Sequence, residues 1–461
     1  MNKPKNVLLL AYGFPPIGGG GVPRPLKMAK YLGDFGWNVH VLTVDPVYHV
    51  TLDPTLLEQL PSTVTIHRAK EWAILPRPAG SGQPATSHAA PARPSLLSRV
   101  KQAVLPMLKK LKPYLLIPDE QILWYPQALR LGRTILQQYP IDVIFSTSGP
   151  VTNHLIARRL AKEFRCKWIA DFRDPWTQNM HRSGIAWRER LEEWMEARVM
   201  AEANAVTTVT ATFAENFRRK HGKRIERLEL IYNGFDAADF QGISPRDEVP
   251  DRFHAVYAGI LYQKRNPRLL LRAVRELIDE GKVDPDRILF SFAGVFDYPG
   301  YSENMDCVRE LDLTGQVRIV GNLPHKEALR LMKGANALLL IGDVAEDAGA
   351  YIPGKLYEYM GIGNPILALH MPGEAAEIIE RFELGRIAHP LDKEAIKEAY
   401  LHMYRTWLQD QDSGSPASAR DAAFLERVKP YERREQARQL AALMDELTEA
   451  AQVIVSSGET P

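Results

Sequence analysis

The chain has 461 residues, 45% hydrophobic and 25% charged, with 58 lysines and arginines against 56 aspartates and glutamates and a net charge of +2. That length holds two domains with separate cores, and the near-neutral balance excludes nucleic-acid binding through a global basic field. Its two cysteines, Cys166 and Cys307, lie far apart, which excludes a disulfide framework or a cysteine-rich zinc site and fits a reducing compartment.

In chain order, the first apolar run, NVLLLAY (6–12), reads as a strand covered on both faces. It is too short for a secretory leader, and Pro15 and Pro16 follow where a small-residue cleavage site would stand. A glycine run, Gly18 to Gly21, leads into a helix over 24–36 stopped by Gly36, and NVHVLTV (38–44) is the next strand. Strands follow at 141–148, 167–172, 205–210 and 228–232, with helices over 152–164 and about 187–205 and another after 210. This alternation predicts a parallel, doubly wound sheet.

A polar, proline-bearing linker at 241–253 precedes a second alternation. Its strands read at 254–259, 287–294, 316–322, 337–342, 364–369 and 385–390, with helices after Pro267 and from Lys326, Gly354, Gly373 and Lys393. Two α/β sheets of similar size are expected, facing a cleft. No stretch approaches the length of a membrane-spanning helix, so a cytoplasmic protein is expected, or one lying on a membrane face. The domain expectation is 1–240, with an insertion at 76–120, then 253–425, then a charged C-terminal helix over 426–450.

Ligands bind open parallel sheets beyond the carboxyl ends of the strands. That rule selects Gly18 to Gly21, Ser146 to Gly149, Asp171, Arg173, Asp174 and Trp176, and Asn233 to Asp236 in the first half. In the second half it selects Gly259, Gly294, Gly342 and Asp343. It demotes Asp284 and Asp286, whose Asp-x-Asp spacing could suggest a metal ligand, because they precede their strand and read as a solvated turn. The glycine run matches neither a P-loop nor G-x-G-x-x-G; its backbone N–H groups could meet an anion, or the loop could hold no ligand.

Several segments resemble glycosyltransferase family 4, retaining nucleotide-sugar transferases of the GT-B fold. They are FPPIGGGGVPRPLKMAKYLGDFGWNVHVLT (14–43), IFSTSGPVTNHLIARRLAKEFRCKWIADFRDPW (144–176), LIYNGFD (230–236), YAGILYQKRNPRLLLRAV (257–274) and YIPGKLYEYMGIGNPILAL (351–369). The resemblance runs from about residue 6 to 445 outside the insertion. It implies two Rossmann-like domains facing a cleft, with the C-terminal helix returning to the first, acceptor-side domain while the second holds the donor.

By that resemblance Arg265 stands on the donor diphosphate, where a guanidinium stabilises leaving-group charge, and Lys264 beside it either shares that donor contact or faces water. Glu358 stands on the ribose hydroxyls, and Lys355 and Leu356 at the start of the same helix also bind the donor, Lys355 adding charge; the bland alternative for Glu358 is an exposed helix residue. Gly19, Gly20, Gly259 and Gly294 let backbone approach the donor. On the acceptor side Asp174 and Arg173 carry catalytic roles, and Asp171 and Trp176 touch the acceptor. The alternative for Asp171, Arg173 and Asp174 is a structural ion pair, and for Trp176 a core position. One departure stands out: the family's second glutamate falls on Ala350, with Asp343, Glu346 and Asp347 as the nearby acids.

The expected activity is transfer from a nucleotide-diphospho-sugar, UDP-linked, to a glycan or lipid-linked acceptor in cell-surface polysaccharide synthesis, with no metal, no other cofactor and no nucleic acid. A non-catalytic GT-B scaffold, a GT-B nucleotide-sugar epimerase and a dinucleotide oxidoreductase are the alternatives. The basic stretch 98–116 carries apolar residues at helical spacing and is expected either to touch a membrane or to pack on the first domain.

Overall fold

The continuous apolar runs form strands of two parallel sheets, each packed with helices on the apolar faces that such runs present. This computed structural model describes residues 5–49, 51–72, 112–179, 183–246, 251–345, 348–413 and 422–457. Most of the basic stretch, 98–111, lies outside them, as do Glu346 and Asp347. No helix among the described residues is long and apolar enough to cross a membrane.

The first unit contains β1 (Lys5–Leu10), α1 (Pro23–Tyr31), β2 (Trp37–Val44), β3 (Thr65–Ala69), α2 (Tyr125–Gln138), β4 (Val143–Thr147) and α3 (Thr152–Phe164). It continues with β5 (Lys167–Phe172), α4 (Ala186–Glu202), β6 (Ala205–Thr208), α5 (Ala211–His221) and β7 (Leu228–Leu230). The strand order is β3-β2-β1-β4-β5-β6-β7, all parallel, so the winding reverses between β1 and β4. Pro23 opens α1 at a position whose N–H needs no partner, and Gly36, at φ +83°, closes the turn that follows the helix. Neither β3 nor α2 is evident in the sequence. Strand β3 lies at the sheet edge and is only partly buried, so its apolar signal is weak.

The second unit contains β8 (Phe253–Ile260), α6 (Arg268–Asp279), β9 (Ile288–Val295), α7 (Glu303–Glu310), β10 (Val317–Gly321), α8 (His325–Lys333) and β11 (Ala337–Ile341). Then come α9 (Gly354–Ile362), β12 (Ile366–Leu369), α10 (Glu374–Arg381), β13 (Gly385–Ala388), α11 (Lys393–Ser413) and α12 (Ala422–Val428). Its order is β10-β9-β8-β11-β12-β13, again all parallel, with the reversal between β8 and β11.

The chain divides at Tyr232/Asn233 and at Glu435/Gln436, ahead of the linker expected at 241–253 and inside the last helix. That helix, α13 (Arg433–Ser457), carries Ala437, Leu440, Ala441, Met444 and Leu447 on one stripe. These side chains join Val7, Leu9, Met28 and Phe145 in the core of the first unit. Lys5 Nζ and Trp37 Nε1 both donate to Asp445 Oδ1, at 2.8 and 3.1 Å, fixing the helix's rotation.

Candidate active site

In the first unit the glycine run leaves β1 at the point where the winding reverses, which is where a ligand is expected. Gly18 N–H donates to Thr51 O at 3.0 Å and Val22 N–H to Gly19 O at 3.1 Å, so the loop is held at both ends. Gly19 has φ +120°, a conformation that favours glycine, while a Cβ on Gly20 would meet nothing within 4 Å. The middle of the run is bare backbone facing solvent.

Arg173 reaches back to this loop. Its Nη1 donates to Gly21 O at 2.6 Å, and its backbone N–H donates to Ser148 Oγ at 3.0 Å. A Cβ on Gly149 would overlap Arg173 Nη2, so this glycine makes room for the guanidinium. Arg173 is 15% exposed and lies 3.6 Å from the carboxylate of Asp174, which is half exposed. Asp174 therefore remains open to a ligand, and Arg173 holds the loop while showing one edge.

Asp171 corrects the expectation of an acceptor contact. It is fully buried, and its carboxylate is taken by Arg24 Nε and Nη2 at 2.9 and 2.7 Å and by Thr147 and Thr207 hydroxyls at 2.7 Å each. Burial alone would raise its pKa, but the Arg24 charge and these hydrogen bonds hold it below the ordinary aspartate value. It positions the first turn of α1 and leaves no exposed surface for an acceptor. Trp176 is buried too, a core residue of its loop. Thr177 beside it donates from N and Oγ1 to buried Glu196, at 2.8 and 2.9 Å, which pins the loop to α4.

In the second unit the candidate residues gather at the reversal between β8 and β11. Gly259 and Gly294 are paired in register at the ends of β8 and β9, with φ +157° and +108°. A Cβ on Gly294 would overlap the Gly259 carbonyl, so two adjacent strand ends present backbone alone. Beyond them Tyr262 and Arg265 exchange backbone hydrogen bonds at 2.9 and 2.8 Å, forming a tight turn. Arg265 Nε donates to Asp343 Oδ1 at 3.1 Å, its guanidinium lies 5.2 Å from the Tyr262 ring centroid, and Tyr262 OH donates to the same carboxylate at 2.6 Å. Lys264 is exposed, with its carbonyl accepting from Val344 N–H at 3.1 Å.

Helix α9 starts beside this group in sequence and sheet order, with Gly354 exposed at its N-terminus. Lys355 Nζ donates to Glu358 Oε2 at 2.8 Å, and His325 Nε2 lies 3.4 Å from Oε1. Burial works against ionising Glu358, but His325 and Lys355 bring its pKa down to about 2. At neutral pH it is a carboxylate that accepts hydrogen bonds only, suited to a pair of hydroxyls. Leu356 corrects another expectation: its side chain is fully buried and its N–H donates to Pro353 O at 2.9 Å, so it serves the core. Ala350 ends a short turn, and Asp343 is the nearby acid that meets Arg265. Asp284 accepts from Asp286 N–H in a turn at the amino end of β9, as the sequence rule requires.

Arg24, Glu196, Tyr262 and His325 escape a motif reading. Arg24 lies between two prolines in the first turn of α1 and, like Lys27 three residues on, is a charged residue on the buried face of the helix.

Residues 19–234 match a family model described as glycosyl transferase 4-like domain, and residues 252–406 match one described as glycosyl transferases group 1. No curated protein sequence matches the chain significantly. Among solved structures, sucrose-phosphate synthase from Thermosynechococcus elongatus is similar with TM-score 0.59 at 14% identity, covering 97% of this chain and 100% of that one. Anabaena Alr3699/HepE, in complex with UDP and glucose, gives TM-score 0.59 at 14% identity over 96% of this chain and 100% of that one. UDP-GlcNAc 2-epimerase from Methanocaldococcus jannaschii gives TM-score 0.52 at 12% identity over 96% and 99%. At these identities the solved structures show the fold, while the family models span most of both units. The chain belongs to the family 4-like glycosyltransferases of the GT-B fold and is a glycosyltransferase enzyme.

Proposed function

We propose that the protein transfers a sugar, with retention, from a UDP-sugar to a glycan or lipid-linked acceptor in cell-surface polysaccharide synthesis, and that no metal ion takes part. The observation that carries this is the grouping in the second unit of a glycine-only backbone floor, Arg265 held by Asp343, and an ionised Glu358 on a helix that opens at Gly354. The floor admits a diphosphate close to the backbone. Arg265 and the N-terminus of α9 meet its charge, which grows as the bond to the sugar breaks. Glu358 accepts from the ribose hydroxyls, and Asp343 and Tyr262 fix the guanidinium so that it need not reorganise. UDP and UDP-glucose bound to Alr3699/HepE support a uridine-linked donor.

The acceptor is received on the first unit, at the bare glycine run and the 173–174 loop, where Asp174 orients or deprotonates its hydroxyl and Arg173 holds the loop. The protein acts on the cytoplasmic side, with peripheral membrane contact through 98–116 where the acceptor is lipid-linked.

The test is thermal stabilisation of the purified protein by UDP, GDP, dTDP, ADP, CMP and NAD, since stabilisation grows as RT ln(1 + [L]/Kd). UDP is expected to raise the Tm, and Glu358→Ala and Arg265→Ala to abolish the rise. A response to no nucleotide, or to NAD alone, sinks the proposal. The epimerase neighbours supply the second reading, and product analysis without acceptor separates it, because an epimerase converts its nucleotide sugar unaided.

A further inference from the structure

We infer that the second unit carries a separate subsite for a neutral sugar ring, in a pocket of about 400 Å³ between the loops that follow β8 and β9. It lies at the carboxyl edge of the sheet, on the α6 and α7 side; Tyr262 is part of its lining, while Arg265 and Glu358 are not. Its size is that of a small-ligand site, about 300–1,000 Å³.

Three tyrosines form the aromatic part of the wall. Tyr262, Tyr298 and Tyr301 are 37, 53 and 50% exposed, three large rings in water around one pocket. A tyrosine offers a flat apolar face with a hydroxyl at its end. The two faces of a pyranose match that chemistry: C–H bonds for the ring, hydroxyls for the polar groups around it.

The pocket is built before any ligand arrives. Asp297 accepts from Asn304 N–H and Met305 N–H, both at 3.0 Å, which ties the β9 loop to the first turn of α7. Asn304 Nδ2 donates to Phe296 O at 2.6 Å, and Tyr301 N–H to Tyr298 O at 2.9 Å. On the opposite wall Asn266 Nδ2 donates to Gln263 O at 2.9 Å, and Tyr262 is held by Asp343. Preorganised walls reduce the ordering cost of binding.

Charge selects the ligand class. The titratable groups of the lining other than tyrosines are Asp297 and Glu303, and Glu303 is paired with Arg268 at 2.9 Å. Among the described residues no lysine or arginine lines the pocket. A phosphate would meet carboxylates there, whereas a neutral polyol finds acceptors and amides. The inference draws its purpose from the glycosyltransferase activity: the subsite holds a ring of the glycan other than the one being transferred.

The experiment is saturation-transfer NMR of the full-length protein with maltose, lactose, cellobiose and N,N′-diacetylchitobiose, run beside UDP stabilisation of the same samples. At least one disaccharide is expected to show saturable transfer to its ring protons. Tyr298→Ala/Tyr301→Ala should lose about tenfold or more in its affinity, Tyr298→Phe/Tyr301→Phe should keep most of it, and UDP stabilisation should stay unchanged in both. If the double alanine variant does not fold, the single Tyr298→Ala and Tyr301→Ala variants carry the same comparison. Transfer to none of the four sugars, or equal affinity in the alanine variants, overturns the subsite. Tighter binding of glucose 6-phosphate than of glucose overturns the ligand class. UDP stabilisation without sugar binding removes this inference and leaves the donor site standing; sugar binding without UDP stabilisation does the reverse.

Discussion

Arg24 and Asp171 form a two-pronged ion pair at 2.9 and 2.7 Å, with 2 and 0% of their side chains exposed. Arg24 also donates to Tyr232 O at 2.9 Å, so one guanidinium joins the first turn of α1, the end of β5 and the exit from the first unit. A pair this buried repays its desolvation only while complete, and losing one partner costs about 3–5 kcal/mol. Arg24→Met should therefore lower the urea midpoint strongly, by unpairing Asp171. Because the folded pKa of Asp171 is depressed, its contribution is full above the ordinary aspartate value and is lost as pH falls through the folded one.

His154 predicts a pH effect in a different window. Burial brings its imidazole down to about 4 from 6.5, against the pull of Asp171. Its Nδ1 lies 2.8 Å from Ser146 Oγ, which Trp168 Nε1 also reaches at 2.9 Å. Between those two values the unfolded chain binds more protons, so stability should rise with pH there, by roughly 3 kcal/mol in all. Denaturant titrations from pH 4 to 7 should show that slope, and His154→Gln should flatten it. Equal slopes would mean the imidazole is not held neutral.

The glycines divide into three kinds, and alanine separates them. Gly20→Ala should leave Tm unchanged, because the Cβ enters open space, yet depress transfer if a ligand approaches that backbone. Gly19 is the poorer test, since its φ of +120° makes any side chain a strain in the free protein. Gly149→Ala and Gly294→Ala should both lower Tm, the first by overlapping Arg173 and the second by overlapping the Gly259 carbonyl. Full activity in Gly20→Ala would remove the glycine run from the site.

The carboxylates of the proposed donor site should behave unlike each other. Glu358→Gln should weaken UDP binding about tenfold or more and also lower Tm in its absence, because a carboxylate whose pKa is brought down by Lys355 and His325 adds to stability at neutral pH. Asp343→Asn should spare UDP binding more than turnover, since it removes the anchor of Arg265 but not Arg265 itself. Calorimetry with UDP beside steady-state kinetics distinguishes the two. Since Glu358 protonates only near 2, its share of UDP binding should stay constant from pH 8 to 5.

Helix α13 supplies a prediction about folding. Leu440 and Met444 are fully buried in the core of the first unit. Leu440→Ala should cost about 2–5 kcal/mol, read as a lower urea midpoint. A surface-like cost below about 0.5 kcal/mol would show that the helix does not complete that core.

What the sequence determined was whatever depends on local pattern. Apolar runs such as 6–12 and 337–342 specify buried parallel strands because they lack a polar face, and their alternation with helices specifies the winding. Positions at or just past the carboxyl ends of strands, Gly259, Gly294 and Asp343 among them, follow from the same pattern, because ligand sites in such sheets lie at one end. Partnership was decided by the tertiary structure alone. Asp171 and Asp174 are neighbours of the same chemical type three residues apart, yet one is sealed by Arg24, Thr147 and Thr207 while the other faces water. Leu356 and Glu358 stand in one motif, but the turn of α9 sends the first into the core and the second toward His325. Side chains from distant segments meet only when the sheets form, and burial, charge and hydrogen bonding then assign each residue its role.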